Sequence, residues 1–225
     1  MTRLFIAILI SVCCFSAAHA QIVDVEQSEK FNTDSVLRDF DNRPFFGIYK
    51  DNYFVGGTSI GTKPTSHNSD VKFQVSISQR LTKSVLPFNT YAFLFYSQKC
   101  MWNVFEKSLP MRDFNFNPGL GFTKLLISKN RLVGKLTLMI EHESNGRDKM
   151  YDRSWNKLSF AGNIYLTPNL MIHGKYWLTY IDSKQNKDIL RYNGIYQTGI
   201  QVLSPNQRWV FSATFVKRKG WNLNG

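Results

Sequence analysis

Residues 136–167 read LTLMIEHESNGRDKMYDRSWNKLSFAGNIYLT. Leu136, Leu138 and Ile140 alternate with Thr137, Met139 and Glu141. Leu158, Phe160, Ile164 and Leu166 share one parity, against Lys157, Ser159 and Asn163 on the other. Period-2 alternation of this kind is the mark of a β-strand with one apolar and one polar face. Between the two runs lies a polar stretch containing Asn145-Gly146, a dipeptide suited to a tight turn. The segment therefore predicts two antiparallel strands joined by a polar loop.

The pattern repeats outward in both directions. Val71–Ser78, Leu170–Tyr180 and Trp209–Phe215 alternate in the same way. About nine such segments are expected, near 46–61, 71–81, 89–102, 117–127, 131–144, 155–167, 169–182, 192–203 and 207–217. Short turns such as Ser128-Lys129-Asn130, Pro168-Asn169 and Ser204-Pro205-Asn206 alternate with longer polar loops. Helical periodicity is almost absent. Aromatic residues make up 15% of the chain, and Tyr96, Trp102, Phe105, Trp155, Tyr180 and Trp209 fall near strand ends. Strands of ~10 residues, loops of alternating length and aromatic residues near the ends are what a transmembrane β-barrel requires. Parity alone does not say which face points outward, so a soluble β-sandwich or lipocalin-like barrel remains the competing architecture.

The first twenty residues, MTRLFIAILISVCCFSAAHA, read as a cleaved export signal. One basic residue precedes a short apolar stretch, and Ala18-His19-Ala20 forms a small-x-small cleavage site. Residues Ile10-Ser11-Val12 match a lipoprotein signal poorly. Residues 21–38 are expected to be an N-terminal segment, and 39–225 the barrel domain. Once the signal is removed only Cys100 remains, so no intramolecular disulfide is available. No later stretch approaches 18 apolar residues, which excludes a helical membrane protein. The net charge is +12. In an exported chain this favours anionic lipid or solvated loop charge over nucleic acid. An odd strand count does not close in the usual bacterial pattern. The chain also ends at Trp221–Gly225, where a new strand would begin, so the closing strands are expected to be missing.

Parity now selects a candidate site. His142 and Ser144 continue the apolar series Leu136, Leu138, Ile140, and Asn156 continues Leu158, Phe160. All three polar residues fall on the apolar face of their strands, at the end where the loop emerges. Residues i and i+2 on a strand lie ~6.6–6.8 Å apart and project the same way. The His142 imidazole is therefore placed to act as general base for the Ser144 hydroxyl. Asn156, on the neighbouring strand, is placed to orient the ring as the third member of a triad does. Gly146 offers an unhindered amide to an oxyanion. Asp148 and Asp152 add hard oxygen donors of the kind that suit Ca²⁺. A polar hairpin loop with no chemistry is the plain alternative.

His142-Glu143-Ser144-Asn145-Gly146-Arg147 followed by Arg153-Ser154-Trp155-Asn156 resembles the paired signature of the outer membrane phospholipase A family. Tyr96-Ser97-Gln98-Lys99, with Pro110, Asn115 and Pro118, resembles its earlier conserved region. The likeness runs from about Asp39 to the end. It implies a twelve-stranded outer-membrane barrel with Ser144 as nucleophile, His142 as base and Asn156 as orienting residue on the lipid-facing wall. It implies that Gly146 serves the oxyanion hole. It also implies Ca²⁺ held by the Arg147 backbone carbonyl and by Asp152, where the best-known members carry Ser. The resemblance further implies a homodimer, with Gln98 in the interface and Ser108 as the candidate calcium ligand from the partner. The implied substrates are phospholipids and lysophospholipids, cleaved at either acyl position. A non-enzymatic pore or scaffold and a soluble lipid-binding barrel are the other classes that the sequence leaves open.

Overall fold

A computed structural model describes residues 33–181 and 186–218. The expected export signal lies outside these residues. The chain begins with helix α1 (Thr33–Asn42) and continues through β1 (Phe46–Gly47), β2 (Tyr53–Thr58), β3 (Ser69–Arg80), β4 (Thr90–Trp102) and β5 (Met111–Ser128). It goes on with β6 (Arg131–Ser144), β7 (Ser154–Thr167), β8 (Leu170–Tyr180), helix α2 (Ile189–Asn193), β9 (Tyr196–Leu203) and β10 (Val210–Lys217). The strands form one antiparallel sheet in the order β1-β3-β4-β5-β6-β7-β8-β9-β10, with β2 also paired to β3. Among the described residues β10 meets only β9, so the curled sheet is open between β10 and the β1/β2 edge.

The segment expected at 46–61 is two short strands rather than one. Both lie against β3, at opposite ends of it. β5 begins at Met111, six residues before its expected start. The prolonged part, Met111–Phe116, pairs with Gln98–Trp102 of β4. Helix α1 was not legible as a helix and runs across the expected domain start at residue 39. The turns at Ser128–Arg131, Thr167–Leu170 and Leu203–Val210 are short and lie at one end of the sheet. In the first of them Lys129 and Asn130 both take positive φ, 49° and 60°, as a two-residue hairpin with the twist of its strands requires. The longer connections 59–68, 103–110 and 145–153, and the described residues 186–195, lie at the other end.

The two faces are reversed relative to a soluble protein. Leu138, Ile140, Leu158, Phe160 and Leu178 point out, and Ile140 is 59% exposed. Thr137, Glu141, Lys157 and Ser159 point in, and Glu141 is only 4% exposed. Apolar surface outward and polar surface inward is stable only where hydrocarbon surrounds the sheet. The soluble alternatives are thereby excluded. The interior is held by polar pairs: Lys175–Glu141 at 2.6 Å and Lys157–Glu143 at 2.5 Å, with Thr123–Thr137 and Ser76–Ser97 hydroxyl pairs. In such a space charges must be paired to offset their desolvation.

Two pieces of the N-terminal region occupy this interior. Leu37 of α1 packs with Tyr91 and Leu125 at the short-turn end. The Arg80 guanidinium donates to the carbonyls of Phe40, Asp41 and Arg43 there. The following segment, 45–52, enters the curl of the sheet. Tyr49 lies against Phe95, with ring centroids 4.5 Å apart, and its hydroxyl accepts from Lys175 Nζ. Asn52 Oδ1 accepts from the backbone N–H of Ser76. At the long-loop end Trp155, Trp177 and Ile189 form a second cluster. Trp155, read from sequence as one of the aromatic residues near strand ends, turns into this cluster and is 3% exposed.

Candidate active site

The site is built on the ends of β6 and β7. Their register places His142 directly opposite Asn156 and Ser144 opposite Ser154. Across β8 the next residue in the row is Tyr180, opposite Asn156. All of these side chains follow from the alternation, because Leu138, Ile140 and Leu158 on the same parity are exposed. His142 Nδ1 and Asn156 Oδ1 are 2.9 Å apart. An amide oxygen only accepts, so Nδ1 carries the proton and Nε2 is left as the basic nitrogen. Ser144 lies two residues further on the same face. Among the described residues no hydrogen bond joins Ser144 to His142, so two of the three sequence-predicted members are in contact and the third is adjacent.

The loop 145–153 is organised by Asn145, a residue the sequence reading took only as part of a turn. Its Oδ1 accepts from the backbone N–H groups of Arg147 (3.2 Å) and Arg153 (3.0 Å), and its Nδ2 donates to the Tyr151 carbonyl at 2.8 Å. Asn side chains commonly replace backbone partners in this way. Asn145 N–H also donates to the Arg153 carbonyl, closing the loop's base. The Arg147 amide is thus consumed, while the Gly146 N–H meets no acceptor among the described residues. Gly146 has φ +67°, and a Cβ there would stand 2.9 Å from the Phe116 ring. Phe116 lies on β5 opposite Ser144, so the loop rests its one glycine on an aromatic ring beside the serine. Sequence reasoning missed Phe116, since only the register brings it there.

Oxygen donors converge on the same loop. Asp152 Oδ2 accepts from Ser154 Oγ at 3.1 Å, which leaves its other oxygen free of described partners, and Asp148 is exposed nearby. The Arg147 carbonyl accepts no described hydrogen bond, while the Arg147 side chain reaches across to the Arg112 carbonyl. Among the described residues no cluster of three or more His, Cys, Asp or Glu side chains forms a metal site within one chain. The donor set fits a hard cation but is incomplete, requiring oxygens from elsewhere. Ser108 lies on the exposed loop 103–110, at the same end of the sheet, with φ +69°. Gln98 lies on the outer face opposite Phe116 and accepts from the Tyr96 hydroxyl at 2.9 Å. Beside His142 and Asn156 an open apolar groove of about 670 Å³ runs along the outer wall past Leu120, Ile140, Leu158 and Tyr180.

Fold and site together define a membrane-type β-sheet that carries a hydrogen-bonded His142–Asn156 pair, with Ser144 adjacent, on its outward wall. The Phospholipase A1 family profile matches residues 36–218. A phospholipase A1 of Klebsiella pneumoniae is 26% identical over 213 residues, covering 87% of this chain and 74% of that protein. One from Escherichia coli is 30% identical over 139 residues, covering 60% and 48% respectively. The chain spans about half to three quarters of the length of such relatives. The structure of a Salmonella typhi outer membrane phospholipase dimer with bound calcium superposes with TM-score 0.66 at 24% identity, over 84% of this chain and 77% of that one. An active-site asparagine variant of Escherichia coli outer membrane phospholipase A superposes with TM-score 0.67 at 25% identity, over 85% and 78%. The chain belongs to the phospholipase A1 family, and its fold is that of outer membrane phospholipase A.

Proposed function

We propose that this protein is a calcium-dependent outer-membrane phospholipase that hydrolyses the acyl esters of phospholipids and lysophospholipids at either glycerol position. The observation that carries the proposal is the 2.9 Å contact between His142 Nδ1 and Asn156 Oδ1 on the outward face. A histidine whose Nδ1 is held by an amide oxygen has its Nε2 free for a neighbouring hydroxyl. A polar pair facing hydrocarbon has no structural use that an apolar pair would not serve better.

In the proposed reaction an acyl chain lies along the groove past Ile140 and Leu158. Ser144 Oγ attacks the ester carbonyl while His142 Nε2 takes its proton. Asn156 keeps the ring in the correct tautomer, and because it is neutral it stabilises the imidazolium less than a carboxylate does. The Gly146 amide donates to the oxygen that gains charge. His142 returns the proton to the departing glycerol oxygen. Water, deprotonated by the same nitrogen, then attacks the acyl carbonyl, and His142 passes that proton to Ser144 Oγ as the fatty acid leaves. The Arg147 carbonyl, Asp152 and Ser108 of a second copy are the proposed holders of Ca²⁺, which when bound supplies positive charge beside the oxyanion. That arrangement places Gln98 in a homodimer interface.

A pore is disfavoured because Tyr49 and Lys50 occupy the lumen. The test is fatty-acid release from dispersed phospholipid in detergent with Ca²⁺. Ser144→Ala is expected to abolish it, and a chelator to reduce it strongly without changing heat-modifiable gel mobility. Equal activity of Ser144→Ala and the unmodified protein would refute the proposal.

A further inference from the structure

The lumenal side of the triad contains a device that the reaction above does not use. The β5–β6 ladder pairs Phe116 with Ser144 and Gly119 with Glu141. Between these pairs, Asn117 and Pro118 face Glu143 and His142, and the ladder is interrupted. Proline has no N–H, so the His142 carbonyl loses the donor that a residue opposite it would supply. An unpaired carbonyl within a membrane sheet is costly. Asn117 replaces the missing donor: its Nδ2 donates to the His142 carbonyl at 2.9 Å. Asn117 is 4% exposed.

An amide can face either way, and its two contacts settle its direction. Lys50 Nζ lies 3.0 Å from Asn117 Oδ1. The His142 carbonyl can only accept, so the NH₂ group must face it, and the oxygen is left to accept from Lys50. Lys50 belongs to the segment inside the sheet, and its own N–H is anchored on Ser76 Oγ at 3.1 Å. A second contact steadies the adjacent backbone, where Glu143, between His142 and Ser144, accepts from Asn115 at 2.8 Å and from Lys157 at 2.5 Å.

We propose that Asn117, oriented by Lys50, is a positioning residue for His142: it replaces the ladder bond lost to Pro118 and so keeps the imidazole in register with Asn156. Neither side chain touches the outward face, and neither meets substrate. The inference rests on the triad assignment of the preceding section. If the bond is lost, the end of β6 lifts from β5 at His142. The ring then drifts from Asn156 and Ser144, while the apolar groove, made by other side chains, remains intact. The expected signature is a fall in kcat with KM unchanged.

The test uses purified protein in detergent micelles with Ca²⁺, dispersed lysophospholipid as substrate, and heat-modifiable mobility as the criterion of folding. Asn117→Leu keeps the branched shape of the side chain and removes the donor. Its kcat should fall about tenfold, the effect of one lost hydrogen bond. Lys50→Met should lower kcat in the same direction, and Lys50→Arg, which also only donates, should restore it to within about twofold. If Asn117→Leu does not fold, the Lys50 pair decides alone. Wild-type kcat in both Asn117→Leu and Lys50→Met would overturn the proposal, as would equal losses in Lys50→Met and Lys50→Arg. The rate of covalent labelling by a fluorophosphonate separates the two levels of the argument. Failure of the unmodified protein to label at Ser144 would remove the triad assignment itself. Normal labelling of both the unmodified protein and the variants would remove only the positioning role.

Discussion

Replacing Gly146 by alanine is a demanding test, because one methyl group acts on the candidate oxyanion donor in two ways. The first is conformational. Gly146 sits at φ +67°, and an L-residue in that left-handed region costs about 1–2 kcal/mol. The second is steric. The new Cβ would stand 2.9 Å from the Phe116 ring, about half an ångström or more inside ordinary carbon contact. Phe116 is held by the ladder opposite Ser144 and by stacking on Phe114 at 5.8 Å, so the loop rather than the ring must give. A shift of the Gly146 amide by that amount weakens its bond to a developing oxyanion. Complete loss of one such donor lowers kcat by about 10²–10³, and partial displacement should lower it about 10-fold to 100-fold. The assay is initial-rate fatty-acid release with folding checked by heat-modifiable mobility. Phe116→Leu, which shortens the ring's reach, should restore part of the loss in the double variant. The steric share is then recovered and the conformational share is not, a coupling that a double-mutant cycle reads directly. Full kcat in Gly146→Ala, or a double variant no better than the single one, would refute the argument.

Three further outcomes follow from the same geometry. Asn156→Ala should lower kcat far less than Ser144→Ala, because Asn156 only orients the ring, while Asn156→Asp should retain more activity than Asn156→Ala; ester-hydrolysis rates across the three variants test this order. Glu141→Leu strands Lys175 in the lumen and should lower stability by about 3–5 kcal/mol. Urea midpoints in detergent should show the double variant Glu141→Leu/Lys175→Met to be more stable than the single one. At the long-loop rim, desolvation raises the Glu106 carboxyl, but hydrogen bonding to His67 and Asn103 and the charge and hydrogen bond of Arg112 outweigh it and hold the group below the usual carboxylate range. A depressed pKa gives stability that is present above the unfolded value and lost as pH falls through the folded one. Protease cleavage of loop 103–110 should therefore accelerate only on acidification below the ordinary glutamate range, and equal cleavage at neutral and acidic pH would sink this assignment.

Much of the outer wall was legible from residue order alone. Two-residue alternation placed Leu138, Ile140, His142 and Ser144 on one face, and nothing in the structure moves them from it. The expected export signal and the strand length favoured a barrel whose apolar face meets lipid, and the exposed leucines agree with that face being outward. What the sequence did not reveal was the interior. Polar residues on the inward parity announce a polar lumen but not its partners, since Glu141 meets Lys175 and Glu143 meets Lys157 only through register. Helix α1 has a single buried residue, Leu37, and a mostly polar surface, so it gave no helical stripe strong enough to read. Pro118 could be seen as a residue unable to donate, yet the consequence for His142 depends on which strand lies opposite. Asn145 likewise looked like a turn residue, and only the closed loop shows it serving three backbone groups at once.

The segment carrying Tyr49 and Lys50 also sets an order of assembly. It precedes every long strand in the chain, yet its contacts are to residues far along it: Tyr49 meets Lys175 across 126 positions, and Lys50 meets Asn117 across 67. Those contacts exist only after the sheet has curved around the segment. Contacts this distant are slow to form because chain entropy must be lost before they stabilise anything. The N-terminal segment must therefore wait, solvated and charged, until β5–β8 wrap it, and a sheet that curls without it would enclose Glu141 and Lys175 around a vacancy. Correct insertion into the membrane is thus a question of timing as much as of pairing.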